Sequence, residues 1–170
     1  QIGHLALVSL ADLEERPFRL EDVDMAIEHT VLALGIPSTI LRNSVYLDEL
    51  TAELTVAAKN GELVSATANH TLNWAPRDDQ AAAIAAAIAE DRHIGKIYNL
   101  VSPKAYTYDD VAVLLSEIAG RPITHRQAEP DEAVKALTAG GIGADYAHSI
   151  VHDFHKAIAT GKCRTTVSDI

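Results

Sequence analysis

At 170 residues the chain can bury one real core, and 48% apolar residues with only 5% aromatics suit a helix-rich soluble protein. A formal net charge of −10 argues against a nucleic-acid backbone or an anionic membrane surface as partner. Cys163 is the single cysteine, which excludes an internal disulfide framework and a Cys-rich zinc site. No apolar run reaches the roughly 18–20 residues of a membrane span, and no secretory leader pattern is present, so a cytoplasmic protein is the expectation.

The elements follow in chain order. "HLALVSL" (4–10) is a short uncharged apolar run and reads as a strand buried on both faces of a parallel sheet. "ADLEERPFRL" (11–20) is polar, contains Pro17 and reads as a loop. In "EDVDMAIEHTVLALG" (21–35), Val23, Ile27, Val31 and Leu34 recur at helical spacing, acids crowd the start and Gly35 ends the pattern. "PSTIL" (37–41) predicts a second strand and "LDELTAELTVAAKNG" (47–61) a second helix closed by Gly61. Strand, helix, strand, helix with short joints is the signature of a parallel α/β sheet.

"ELVSATANHTLNWAP" (62–76) mixes alternation with turn residues and predicts an irregular hairpin. "RDDQAAAIAAAIAED" (77–91) predicts an alanine-rich helix, thin enough to pack close to a neighbour. "GKIYNLV" (95–101) and "PITHRQ" (122–127) predict strands on either side of a helix, "TYDDVAVLLSEIAG" (107–120), capped by Thr107. "PDEAVKALTAGG" (130–141) is a helix with Pro130 in its first turn, and "ADYAHSIVHDFHKAIATG" (144–161) one last long helix. The closing "TTVSDI" has the look of a further helix starting. Both ends fall inside apparent elements, so the chain reads as part of a larger domain.

Most candidate chemistry has a plain alternative. His148 and His152, four apart on the last helix, share a face with His155 nearby, yet no carboxylate motif completes a metal set and a solvated face explains them. Asp78-Asp79 and Asp109-Asp110 sit at helix starts, where acids stabilise the helix dipole. Cys163 lies between Lys162 and Arg164, which could activate a thiol, and an incidental cysteine is the simpler reading. No Ser-His-Asp order, nucleophile elbow or phosphate loop is visible, and Gly140, Gly141 and Gly143 follow no strand, so they fail the context of a dinucleotide fingerprint.

The strand ends point further. In open parallel sheets ligands lie outside the carboxyl ends of strands. Ser9 ends the first strand and Arg42-Asn43-Ser44 the second, all small or hydrogen-bonding groups. Asn43 could equally serve as a turn residue and helix cap. Arg77, placed before a helix and after the expected hairpin, is a further pocket candidate.

Five stretches together resemble the NmrA-like branch of the atypical short-chain dehydrogenases/reductases, and within it the type 2 NAD(P)H:quinone oxidoreductases. They are "LALVSL" (5–10), "IEHTVLALGIPSTILRNSVYLDEL" (27–50), "RDDQAAAIAAAI" (77–88), "HIGKIYNLV" (93–101) and "TYDDVAVLLSEIAGRPIT" (107–124). The resemblance implies an α/β fold: the C-terminal part of a Rossmann-type doubly wound parallel sheet plus a smaller, mostly helical substrate-side region. Residues 1–61 would be the second half of the dinucleotide domain. Residues 62–170 would form the substrate side, with the 77–101 helix-strand unit returning to the sheet. The half that carries the glycine-rich diphosphate loop in the family has no counterpart here.

By the same resemblance Ser9, Asn43, Ser44, Val45 and Tyr46 would line the cofactor, NADP or NAD, and Tyr46 and Arg77 would face the substrate. No catalytic acid or base is implied, and no metal. The implied chemistry is hydride transfer from NAD(P)H to a quinone or similar small electrophile. A non-catalytic NAD(P)-sensing regulator is the alternative, and an interaction scaffold a third. The expected partners are a small-molecule substrate and either a second copy or the missing N-terminal part, with no nucleic acid or membrane. Against the family pattern, Ser44-Val45 stands for Gly-Trp, Glu49 for an asparagine, Leu7 for a tyrosine and Asp24 for a basic residue.

Overall fold

The computed structural model of the protein describes residues 3–11 and 21–163. The loop expected after Ala11 and the helix start expected in the closing segment lie outside them. Among the described residues the chain forms two compact units. One combines the stretch ending at Asp48 with Asn73–Lys104, and the other combines Glu49–Leu72 with the stretch from Ala105 onward.

The first unit is built on three parallel strands, β1 (Leu5–Leu10), β2 (Ser38–Asn43) and β4 (Ile97–Leu100), in the order β1-β2-β4. Their register pairs Leu10 with Asn43 and Asn43 with Leu100, so three carboxyl ends finish level with one another. Helices α1 (Glu21–Ala33) and α3 (Arg77–Ala89) pack on this sheet. Leu41, Ala87 and Leu100 form its buried core, with Ala83 and Ile84 packed against them, so the thin alanine helix does lie close. Burying an aliphatic side chain such as Leu41 is worth about 1.5–3 kcal/mol.

Two expectations about this sheet are corrected. β1 is not buried on both faces: it is an edge strand of the three, and Val8 is 46% exposed. Of the predicted apolar stripe, Val23 and Ile27 on α1 and Leu34 just after it are exposed, while Val31 is buried. The buried polar group of that helix is Glu28, which a hydrophobicity pattern counts as surface. It turns inward because Arg42 of β2 offers a paired charge there.

The second unit holds α2 (Thr51–Asn60), the parallel pair β3 (Glu62–Ser65) and β5 (Thr124–Gln127), and helices α4 (Tyr108–Ala119), α5 (Pro130–Ala139), α6 (Ala144–Ser149) and α7 (Lys156–Ala159). A tight turn, Leu47–Leu50, leads into α2, and Gly61 ends α2 in the left-handed conformation, φ 82°. Thr107 and Asp110 form a reciprocal capping box on α4. Val64, Ala133, Leu137, Ala147, Ile150 and Val151 make the core. Gly140 permits a close approach, since a β-carbon there would collide with Val56 of α2.

The hairpin expected over 62–76 is not formed. The alternating run "ELVS" pairs in parallel with β5, about 60 residues away, a partner that local turn chemistry cannot reveal. The last long helix is continuous in direction of chain but not in kind: between α6 and α7, Ile150–His155 winds as a π-helix. Such a widened turn shifts the side chains that follow, and here it delivers His155 into the core, fully buried.

Candidate functional site

The carboxyl end of β2 carries the sequence-predicted residues. Asn43 is buried, and its amide nitrogen donates to the Tyr46 hydroxyl at 3.2 Å, while its carbonyl Oδ1 has no protein partner. The chain then turns at Ser44, also buried, whose hydroxyl lies 3.3 Å from the Val45 carbonyl. Tyr46 bridges to Ala75, the Leu47 amide donates to the Ala75 carbonyl at 3.0 Å, and Gln80 of α3 reaches back to the Ser44 hydroxyl at 3.2 Å. The loop is thereby fastened to the segment entering α3.

Arg77 opens that helix. Its amide donates to the Asp48 carboxylate at 2.9 Å, which caps the helix from the loop, and this bond holds the Asp48 carboxyl below the usual range. The Arg77 guanidinium lies 4.5 Å over the Tyr46 ring, a cation–π contact. Asn43, Ser44, Tyr46 and Arg77 are therefore one assembly, with half-buried Val45 between them. Ser9 is buried at the same edge with its hydroxyl unpartnered. The register sets it beside Arg42 rather than Asn43, so by strand alternation its side chain leaves the sheet on the other face.

Arg42 is turned to the opposite face of β2 from Asn43 and pairs within the protein. Its guanidinium forks onto Glu28, with Nε to Oε1 at 3.0 Å and Nη2 to Oε2 at 2.7 Å. Glu28, one turn-face of α1, gives no local signal of this pairing.

Sequence reasoning missed a polar network in the second unit. His155 Nδ1 accepts from the Ala66 amide at 3.2 Å, so its proton sits on Nε2 and is donated to Glu53 at 2.9 Å. Tyr108 completes the set, its hydroxyl 3.3 Å from Glu53 Oε1 and 3.1 Å from His155 Nε2. Burial pushes the Tyr108 phenol well above its ordinary range, and the neighbouring Glu53 adds to it. Glu53 and His155, 102 residues apart, are both essentially solvent-free.

Beside it runs a second chain: Asp109 to His125 Nδ1 at 2.7 Å, and His125 Nε2 to Ser65 at 2.9 Å. Its atoms follow the order of a hydrolytic Ser-His-Asp triad, which the sequence did not show. Its burial is inverted. The Asp109 side chain is 59% exposed and Ser65 is fully buried, with its hydroxyl also on Thr67 at 3.1 Å. A nucleophile must meet its substrate, so this chain staples α4 to β3 and β5. We expect a fluorophosphonate to leave Ser65 unmodified in the native protein; stoichiometric labelling detected by mass spectrometry would overturn that. The His125 ring, with Asn69 behind it, holds the Asp109 carboxyl below its usual range.

The remaining candidates resolve simply. His148 and His152 stack with ring centroids 4.2 Å apart, and His152 stands 4.0 Å from Asp131. No group of three metal-ligating side chains occurs among the described residues. Cys163 is buried. Asp78 and Asp79 occupy the first turn of α3. No described helix is long and apolar enough to cross a membrane.

No protein-family model matches the chain. It is 30% identical over 141 residues to "Quinone oxidoreductase 2" of Escherichia coli K12, an alignment covering 83% of this chain and 49% of that protein. The chain thus spans about half the length of the curated relative it matches. Its structure superposes on Citrobacter sp. triphenylmethane reductase complexed with NADP(H), with a TM-score of 0.88 and 30% identity, over 97% of this chain and 58% of that one. Against the E. coli NADPH-dependent quinone oxidoreductase complexed with NADPH the TM-score is 0.82 at 27% identity, over 96% and 58%.

Proposed function

We propose, from the premise that this chain is a homologue of the NmrA-like NADPH-dependent reductases, that it walls the hydride-transfer site of an NAD(P)H-dependent oxidoreductase acting on quinones or similar small planar electrophiles. The observation that carries this reading is the Asn43–Tyr46–Arg77 assembly at the carboxyl edge of a parallel sheet. The nicotinamide dinucleotide supplies the hydride. The residues fit such a group: Asn43 Oδ1 is a buried polar atom at that edge with no protein partner, and a carboxamide N–H or ribose hydroxyl would satisfy it.

The chain's own contribution is positioning. Asn43, held by strand pairing and by Tyr46, presents its carbonyl without rotamer search, and half-buried Tyr46 offers a flat surface on which a planar acceptor can lie. Orientation and exclusion of water are what direct hydride transfer requires of a protein, more than a nucleophile. The test is oxidation of NADH and NADPH by the full-length protein with a series of quinones. Turnover that saturates in quinone supports the reading. Tight dinucleotide binding with no turnover of any acceptor would replace it with a dinucleotide sensor.

A further inference from the structure

Reduction of a quinone needs a proton as well as a hydride, and the sequence offers no evident acid. From the geometry around Tyr46 we infer that its phenol is the proton donor to the acceptor oxygen, with Asn43 and Arg77 as positioning residues. The inference rests on the oxidoreductase reading above.

The orientation of the Asn43 amide sets the hydrogen-bond direction. Asn43 Nδ2 can only donate, so at 3.2 Å it fills a lone pair of the Tyr46 oxygen, and the phenolic hydrogen must point elsewhere. Among the described contacts nothing in the protein accepts that hydrogen. Two neighbours frame the phenol: the Asn43 N–H aims at its oxygen, and the Arg77 guanidinium lies 4.5 Å over its ring. The loop is fastened at two points, by the Tyr46–Ala75 bridge with its Leu47 amide bond and by the Asp48 cap on Arg77. Tyr46 is half-buried rather than enclosed.

The balance is simple. Hydride transfer from the dinucleotide reduces the quinone by two electrons to a hydroquinone monoanion. The Tyr46 Oη–H bond breaks as the new O–H bond forms on that anion. The phenolate is then reprotonated by water, and the net reaction consumes one solvent proton per quinone.

A cationic acceptor separates this role from a merely structural one. Hydride transfer to a triphenylmethane carbocation gives a neutral product and needs no proton. Tyr46→Phe keeps the ring and its guanidinium contact and removes only the hydroxyl. In the full-length protein we expect quinone kcat to fall about 100-fold, the lower range for loss of a general acid, while reduction of a triphenylmethane dye falls less than about threefold. The solvent isotope effect on quinone turnover should change with the variant. Two binding measurements stand apart from turnover: NADPH affinity by fluorescence should move less than about threefold, and a hydroxynaphthoquinone should bind about tenfold more weakly.

Equal losses with both acceptors, or a collapse of NADPH binding, would make Tyr46 a cofactor wall and overturn the proposal. So would undiminished quinone turnover. A wild-type protein inactive with every acceptor sinks the oxidoreductase reading itself, which is a different result.

Discussion

Replacing His155 with leucine is expected to lower the unfolding free energy by about 3–5 kcal/mol, the cost of breaking a buried charged hydrogen-bond set from one side. The imidazole accepts from the Ala66 amide and donates to Glu53, and leucine does neither. The Ala66 amide and one Glu53 oxygen are left unpaired where water cannot reach, and Tyr108 alone still faces the carboxylate. Chemical denaturation of the full-length protein measures the loss, and amide exchange at Ala66 localises it. Adding Glu53→Leu should recover part of it by removing the stranded charge; a double variant no better than the single would mean that packing, not charge, sets the cost. A second consequence concerns alkali. Tyr108 is kept neutral in the folded protein, its phenol raised above the unfolded value of 10.0. The folded state then holds a proton the unfolded chain gives up, so this stability is complete below about pH 10 and is lost as pH rises beyond it. Tyr108→Phe should flatten the alkaline limb of the stability curve, and an unchanged limb would remove Tyr108 as its cause.

How far the sequence reveals all this depends on how local each cause is. The parallel α/β fold, its Rossmann relationship and the strand-end address of Asn43 were legible, because short apolar runs, capping residues and the joint after "STILRN" are consecutive in the chain. The resemblance assigns Tyr46 and Arg77 to one pocket but not their contact, since 31 positions separate the partners and neither has a local pattern demanding the other. Glu53 and Tyr108 carry no local signal of a site, and His155 reads, with His148 and His152, as part of a solvated helix face, whereas it is buried. Each sits at a helical position that a periodicity count assigns to solvent or to generic core. A π-turn that no propensity scale announces rotates His155 inward. The β3–β5 pairing was missed for the same reason: its evidence lies 62 residues away from the strand that needs it. The triad-like order of Asp109, His125 and Ser65 shows the converse. Geometry alone would name an active site there, and burial reassigns it to structure.

Arg42 makes the same point with an energetic consequence, and Arg42→Met should cost toward the lower end of the roughly 3–5 kcal/mol expected when one side of a buried pair is removed. The lower end applies because the Arg42 side chain is 23% exposed, so water screens the pair from that side, whereas Glu28 is only 4% exposed. Methionine keeps the apolar stem and leaves the Glu28 carboxylate without its two guanidinium hydrogen bonds. Arg42→Lys should be intermediate, since an ammonium cannot span both carboxylate oxygens. Adding Glu28→Leu to Arg42→Met should restore most of the loss, measured by denaturation; an uncompensated double variant would show that α1 docking depends on the arginine stem instead. The pair also reaches the site by position. Arg42 and Asn43 are successive residues whose side chains leave opposite faces of β2, so the fork that ties Arg42 to α1 fixes the strand end from which Asn43 holds Tyr46. On the function proposed above, Arg42→Met should therefore weaken dinucleotide binding under conditions where the protein is still folded, and the Glu28→Leu, Arg42→Met double variant should regain stability more completely than affinity. Equal recovery of both would mean that the strand end is positioned by sheet pairing alone.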